Sequence, residues 1–204
     1  MTGLLSANDL CLLRGDRCLF QNLEFALNPG ELLFIEGANG SGKTSLLRGI
    51  AGLLDFETGH VTWDGQKIVD AYQLFRSELV WLSHRVGFKE ELNLLENLQF
   101  ESALRSSSME KAEAVIERLS LGRLGNLPFR YLSAGQQRRV ALARMVLANA
   151  RLWMMDEPFT NLDKAGRGLV AELISEHLGS GGLCIIASHQ TVEIDAPTRR
   201  VTLQ

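Results

Sequence analysis

The chain has 204 residues, enough to bury one substantial core, and its 46% hydrophobic and 22% charged residues are ordinary for a folded globular protein, which excludes a disordered or low-complexity scaffold. A formal charge of −3 gives no general attraction to nucleic acid or anionic lipid, and nowhere do 18 apolar residues run together as a membrane span requires. Three cysteines, Cys11, Cys18 and Cys184, lack metal-ligand spacing and read as thiols of a reducing compartment, so with no leader pattern at the start the expected place is the cytoplasm.

Residues 4–27 form short apolar segments broken at Arg14-Gly15-Asp16 and ended by Asn28-Pro29-Gly30, the pattern of a small antiparallel sheet. "ELLFIEG", residues 31–37, has the continuous apolar form of a buried strand, and "KTSLLRGIAGLL" after the next glycine loop has apolar residues at helical spacing. "HVTWDGQKI" holds Asp64-Gly65 between alternating residues, a hairpin signal. From about residue 85 to residue 127 the pattern turns helical, with Ser107 and Glu110 spaced as a capping box ahead of Ala112, Val115, Ile116 and Leu119.

"YLSAGQQRRVALAR", residues 131–144, opens another helix at Ser133. A serine there can accept from the backbone, and the free amides and positive end of the helix dipole attract an anion; taken alone, the serine is better accounted for by an ordinary N-cap, since Ser begins a great many helices. Val140, Leu142 and Met145 are inward candidates, and Arg138 with Arg139 reads as a local basic patch. "LWMMDEP" and "GLCIIASH" are then two apolar runs separated by a helix around residues 168–178, as parallel strands with a crossover require. The sheet core resumes there. The whole chain therefore reads as one α/β domain, with a core at about 1–84 and 150–204 and a helical subdomain inserted at about 85–149.

Chemistry concentrates in four places. "GANGSGKT" comprises Gly37, Ala38, Asn39, Gly40, Ser41, Gly42, Lys43 and Thr44, and matches the phosphate-binding loop G-x-x-x-x-G-K-[ST] between a predicted strand and helix. Its glycines let consecutive amides curl around a phosphate, Lys43 brings a point charge, and the Thr44 hydroxyl suits Mg²⁺. Asp156 and Glu157 stand at the carboxyl end of a buried strand, where open α/β sheets place ligand chemistry. There Asp156 suits the Mg²⁺ shell and Glu157 the polarising of an attacking water. His189 ends the next strand and can donate to a γ-phosphate. "TNLD", ending in Asp163, has the composition of a turn.

The order of these motifs, "GANGSGKT", "LSAGQ", "LWMMDE", "NLD" and then His189, resembles the ATPase subunits of ABC transporters over essentially the whole chain. The resemblance implies a P-loop NTPase fold of ABC type, a mixed sheet core with an N-terminal antiparallel sheet and an inserted helical subdomain. It implies ATP and Mg²⁺ as ligands, with residues 37–44 and Ser45 around the nucleotide. Arg14 stands near where most family members stack an aromatic on adenine, and its guanidinium can stack in the same way. The resemblance also implies a homodimer. Leu132, Ser133, Ala134, Gly135 and Gln136 of one chain would face the γ-phosphate held on the partner's phosphate loop, and Asp163 would be the D-loop aspartate. Most family members have a glutamine where this chain has His84; that glutamine touches Mg²⁺ and signals to the membrane partner, so the resemblance gives His84 a coupling role.

A narrower resemblance lies in "LSHRVGFKEELNLLENLQF", residues 82–100, together with "LSAGQQRRVALAR" and "DEPFTNLD". These stretches are similar to the CcmA family, the ATP-binding subunits of the cytochrome c maturation system. That implies a peripheral subunit on the cytoplasmic face of the bacterial inner membrane, working with separate integral membrane subunits like CcmB and CcmC in haem export or in release of a haem-loaded chaperone. No nucleic-acid partner is expected. A transporter ATPase for another substrate is the nearest alternative. A nucleic-acid ABC ATPase usually needs long insertions or tandem domains that 204 residues do not accommodate, and the "LSAGQ" signature argues against a stand-alone P-loop kinase.

Overall fold

The computed structural model describes residues 3–84, 87–105, 107–190 and 192–203. Two sheets share the chain. Strands β1 (Leu5–Arg14), β2 (Arg17–Leu27), β4 (Thr58–Trp63) and β5 (Gln66–Lys67) form an antiparallel sheet in the order β2-β1-β4-β5. Strands β3 (Leu32–Gly37), β6 (Leu79–Leu82), β7 (Leu152–Asp156), β8 (Leu183–Ala187) and β9 (Thr198–Leu203) form a parallel sheet in the order β6-β7-β8-β3-β9. Helices α1 (Lys43–Ile50) and α2 (Tyr72–Glu78) lie before β6; α3 (Leu94–Arg105), α4 (Ala112–Arg118) and α5 (Ala134–Leu147) fall between β6 and β7; α6 (Lys164–Gly179) crosses from β7 to β8. This is an α/β fold with antiparallel and parallel strands segregated into separate sheets.

The apolar strands are buried on both faces, which explains why they read as unbroken hydrophobic runs. Leu32, Phe34, Trp153, Met155, Cys184 and Ile186 face a core filled by α5 and α6, while Leu33, Ile35, Met154, Ile185 and Ala187 face a second core shared with α1 and the antiparallel sheet. Helix α1 contributes Leu46, Leu47 and Ile50, all without exposed surface, each stabilising by about 2 kcal/mol through burial.

Local signals behave unevenly. Asp64 and Gly65 take φ values of 51° and 76° and join Trp63 to its partner Gln66, the geometry of a tight two-residue hairpin. The capping box expected at Ser107 and Glu110 does not form: the Ser107 hydroxyl donates to Ser102 Oγ at 3.2 Å, and α4 starts later, with Lys111 at its N-cap and no side-chain cap. A serine five residues earlier on α3 captured that hydroxyl. Strand β9, absent from the sequence reading, pairs with β3 at the sheet edge; its Arg199 and Arg200 point outward to Glu31 and Glu36. An edge strand with arginines has no apolar run to announce it. Among the described residues no helix is long and apolar enough to cross a membrane.

Gly59 sits where β4 meets an irregularity in β1. Its φ is +84°, and an added Cβ would lie 2.3 Å from the Asp9 carbonyl oxygen and 2.4 Å from that of Asn8, both backbone atoms that cannot rotate away. Gly59→Ala is expected to lower stability by about 2 kcal/mol or more, read as a reduced urea midpoint at unchanged slope.

Candidate functional site

Because β3, β6, β7 and β8 run parallel, their carboxyl ends emerge at one edge of the sheet. The register is close: Ile35 and Asp156 are both level with Ala187. Residues just past those positions, Gly37, His84, Glu157 and His189, are thereby gathered from four separate stretches of chain.

The loop after β3 is built for close approach to its backbone. Gly37 has φ +152°, and an added Cβ would stand 2.5 Å from both the Leu203 carbonyl and Ser41 Oγ. Gly42 caps α1 with φ 103° and no side-chain acceptor, which leaves the first amides of the helix to a ligand. Lys43 is buried and donates through Nζ to the carbonyls of Gly37 at 2.8 Å and Ala38 at 3.0 Å, so its charge lies across the loop. The Ser41 hydroxyl is buried with no hydrogen-bond partner among the described residues, a position that a ligand oxygen would satisfy. Thr44 and Ser45 follow in the first turn of α1. The β1–β2 hairpin leans on this loop, with Leu19 Cβ 3.3 Å from where a Cβ on Gly42 would be; Arg14 is exposed at the end of β1, paired in register with Arg17.

Thr44 Oγ1 donates to Asp156 Oδ2 at 2.8 Å, joining the loop to the end of β7. Burial pushes the Asp156 carboxyl above its ordinary range; the Thr44 hydrogen bond opposes this, Glu157 adds to it, and His84 and Arg138 lower it. Two adjacent oxygen donors, one a carboxylate, fit a hard divalent cation. Beside them the Glu157 carboxylate is held at three points. Ser188 Oγ donates to Oε2 at 3.0 Å, the His189 amide donates to Oε1 at 3.2 Å, and His189 Nδ1 lies 2.9 Å from Oε1. With Nδ1 engaged there, the other ring nitrogen of His189 is the one left for a ligand.

Ser133 caps α5, accepting from the Gln136 amide at 3.3 Å while Gln136 Oε1 accepts from the Ser133 amide at 2.8 Å. Ser133, Gly135, Gln136, Asn161 and Asp163 line one surface cleft of about 400 Å³; Leu132 is buried and Ala134 is exposed. No phosphate-loop residue lines this cleft. Asp163 is itself an N-cap, accepting from the Gly166 amide of α6 at 2.7 Å. His84 follows β6 and lines a larger cavity of about 710 Å³ with Glu157, Gln137 and Phe88. The structure thus gathers Lys43, Thr44, Asp156, Glu157 and His189 around one edge and sets Ser133, Gly135 and Gln136 with Asp163 around another cleft, while Ala134 lines the cavity of His84 and Glu157.

The ABC transporter family model matches residues 20–160. The chain belongs to the ABC transporter family. Within that family it is 41% identical to the cytochrome c biogenesis ATP-binding export protein CcmA of Vibrio parahaemolyticus over 97% of each chain. It is also 43% identical to the CcmA of Methylococcus capsulatus over 98% of this chain and 97% of that one. Among solved structures, an ABC transporter ATP-binding protein from Pyrococcus furiosus superposes with a TM-score of 0.83 at 23% identity over 96% of both chains. CbiO1 of Clostridium perfringens, part of the ABC transporter complex CbiONQ, superposes at 0.76 and 22% identity over 92% of this chain and 78% of its own. As an ABC ATPase the chain binds ATP, and family membership carries ATP hydrolysis with it.

Two residues at the ABC site escaped the sequence reading. Ser188 is fully buried against Glu157, and its only signal is a hydroxyl placed between an apolar strand and His189. Arg138 is not part of a surface basic patch: it is buried, whereas Arg139 remains half-buried beside the signature cleft. The signal was present, since Arg138 precedes the buried Ala141, Leu142 and Met145 by three, four and seven residues. Burial pushes its guanidinium down to about 10, with the nearby Asp156 and Glu157 carboxylates opposing that shift.

Lys43→Ala removes a buried charge directed across the phosphate loop. ATP affinity, read by titration calorimetry, should fall roughly 10- to 100-fold, the value of one or two charge-assisted hydrogen bonds.

Proposed function

We propose that this chain is the ATP-hydrolysing subunit of a membrane complex for c-type cytochrome biogenesis and that it works as a head-to-tail homodimer. The observation that carries the hydrolytic reading is the Glu157 carboxylate, fixed by Ser188 and His189 at the same sheet edge as Lys43 and Thr44. ATP lies on residues 37–45, with Lys43 on the β- and γ-phosphates and Arg14 on the adenine. Thr44 and Asp156 would hold Mg²⁺, whose charge would offset that of the phosphates. Glu157 accepts a proton from the attacking water, and His189 holds the γ-phosphate so that water and phosphorus stay in line.

The second cleft supports the dimer. Residues 132–136, presented by the helical subdomain at about 85–149, meet no phosphate loop in the lining of their own cleft. An amide-rich helix start is an anion site, and the γ-phosphate of a partner chain is the anion that would complete it, with Asp163 beside the junction. Names of the relatives support the assignment to cytochrome c biogenesis, and separate integral membrane subunits, CcmB-like and CcmC-like, would couple hydrolysis to haem export or to release of a haem-loaded chaperone. In that assembly the chain is peripheral on the cytoplasmic face of the inner membrane. His84, beyond β6 and sharing a cavity with Glu157, is the coupling residue and not the base.

Glu157→Gln should keep ATP affinity, lose turnover by about 100-fold or more and accumulate as a dimer in ATP and Mg²⁺ by light scattering. A strictly monomeric variant under those conditions would end the sandwich model. Mixtures of Lys43→Ala with Ser133→Arg chains should keep one intact composite site per heterodimer and so retain part of the activity that neither variant has alone.

A separate expectation concerns His84. In the complex with its membrane subunits, His84→Ala should leave ATP affinity within about twofold and reduce the stimulation of hydrolysis by those subunits, while His84→Gln restores part of it. Unchanged stimulation in His84→Ala, measured as the ratio of rates with and without the membrane subunits, removes His84 from coupling.

A further inference from the structure

One buried guanidinium ties the signature helix to the hydrolytic turn of its own chain. Arg138 lies on α5, five residues past the cap Ser133, and only 7% of it is exposed. It donates to four backbone carbonyls: Nη2 to Asp156 at 2.8 Å and to Glu157 at 2.5 Å, Nη1 to Ser83 at 3.2 Å, and Nε to Pro158 at 3.5 Å. One of these is the last residue of β7, two belong to the turn that follows it, and the fourth lies at the exit of β6 that leads to His84.

The turn needs such a partner. Glu157 has a φ of +50°, a left-handed conformation that costs a non-glycine residue about 1–3 kcal/mol and persists only where its surroundings over-determine it. On one side the Glu157 amide donates to the Ala187 carbonyl at 2.8 Å, so β8 fixes the front of the residue. On the other side Arg138 gathers the carbonyls before, at and after it. A planar fork of five donors can serve several carbonyls at once; a lysine ammonium, with three donors on one atom, cannot span them.

We propose that Arg138 is a positioning residue: it holds Glu157 in the left-handed turn that aims its carboxylate, and it makes that aim depend on the position of α5. The same guanidinium carries the Ser83 carbonyl, so movement of the signature helix shifts the Glu157 turn and the His84 segment together. A change at the Ser133 end of α5 is thereby felt by the water-polarising carboxylate of the same chain. The proposal rests on the reading of Glu157 as the group that activates water.

The test is steady-state ATP hydrolysis by the purified full-length chain carrying Arg138→Lys or Arg138→Met, with ATP affinity and thermal midpoint measured on the same samples. Arg138→Lys should lower kcat roughly tenfold, and Arg138→Met towards the 100-fold loss that accompanies a misplaced catalytic group, with KM for ATP and ATP affinity within about threefold of the wild type. A merely structural role would move the thermal midpoint and leave kcat of the folded fraction intact, which overturns the proposal. If Arg138→Met does not fold, the Arg138→Lys arm decides alone. A double-mutant cycle gives the second readout. In a Glu157→Gln background, followed by single-turnover release of labelled phosphate, Arg138→Lys should cause little further loss, because the carboxylate it aims is gone. The same factor of loss in both backgrounds would show that Arg138 acts elsewhere. Near-wild-type turnover in Glu157→Gln itself would instead sink the reading of Glu157, before Arg138 is tested.

Discussion

Everything at this site depends on the shared register of the parallel strands. Hydrogen bonds place Ile35, Ala187 and Asp156 side by side across β3, β8 and β7, so the three segments that follow leave the sheet at the same height. A slip of one residue in any pair would turn each side chain to the opposite face. The register resists such a slip because both faces are apolar and matched to different cores: Met155 belongs with α5 and α6, Met154 with α1. The packing of two cores therefore sets the height and direction of Asp156, and the distance of 2.8 Å from Thr44 Oγ1 follows from it.

With that edge established, the buried polar groups can be compensated one by one. Lys43 finds the loop carbonyls of Gly37 and Ala38, Asp156 finds the Thr44 hydroxyl, and Arg138 finds four carbonyls on two segments. Each of these charges would be expensive in an apolar surround without its partners. Desolvation shifts both Asp156 and Arg138 toward their neutral forms, and in both cases the neighbouring opposite charge pulls back. The balance concentrates charge where a polyphosphate is proposed to lie. The orphaned Ser41 hydroxyl stands in the same loop.

The helices between β6 and β7 are anchored to this edge more firmly than their surface suggests. Arg144 donates to the Trp81 carbonyl at 3.2 Å and stacks over Phe88 at 4.8 Å, and Arg118 of α4 reaches Glu172 and Glu176 of α6. The last of these pairs is exposed and adds little stability, whereas the buried Arg138 and the partly buried Arg144 of α5 connect these helices to the strand ends themselves. The helices between β6 and β7 thus contact the strand ends through α5.

Local sequence determined most of the elements and most of the residues gathered at the site. An apolar run bounded by a glycine loop ending in Lys43 and Thr44 can hardly be anything other than a strand, a phosphate loop and a helix, because backbone curvature and anion recognition require those residue types at that spacing. The Asp64-Gly65 hairpin is equally local, since the positive φ of both residues is a property of the dipeptide. Only the tertiary structure decided which strand ends meet, that Ser188 supports Glu157, that Ser107 is captured by Ser102 rather than capping α4, and that Arg138 faces inward to four carbonyls. The edge strand β9 was equally hidden, because its pairing with β3 satisfies backbone groups while its first three residues, Thr198, Arg199 and Arg200, are exposed and only Val201 and Leu203 turn inward. In each case the partner lies far away in sequence or the competing contact is as local as the expected one, and periodicity carries no information about which of them wins.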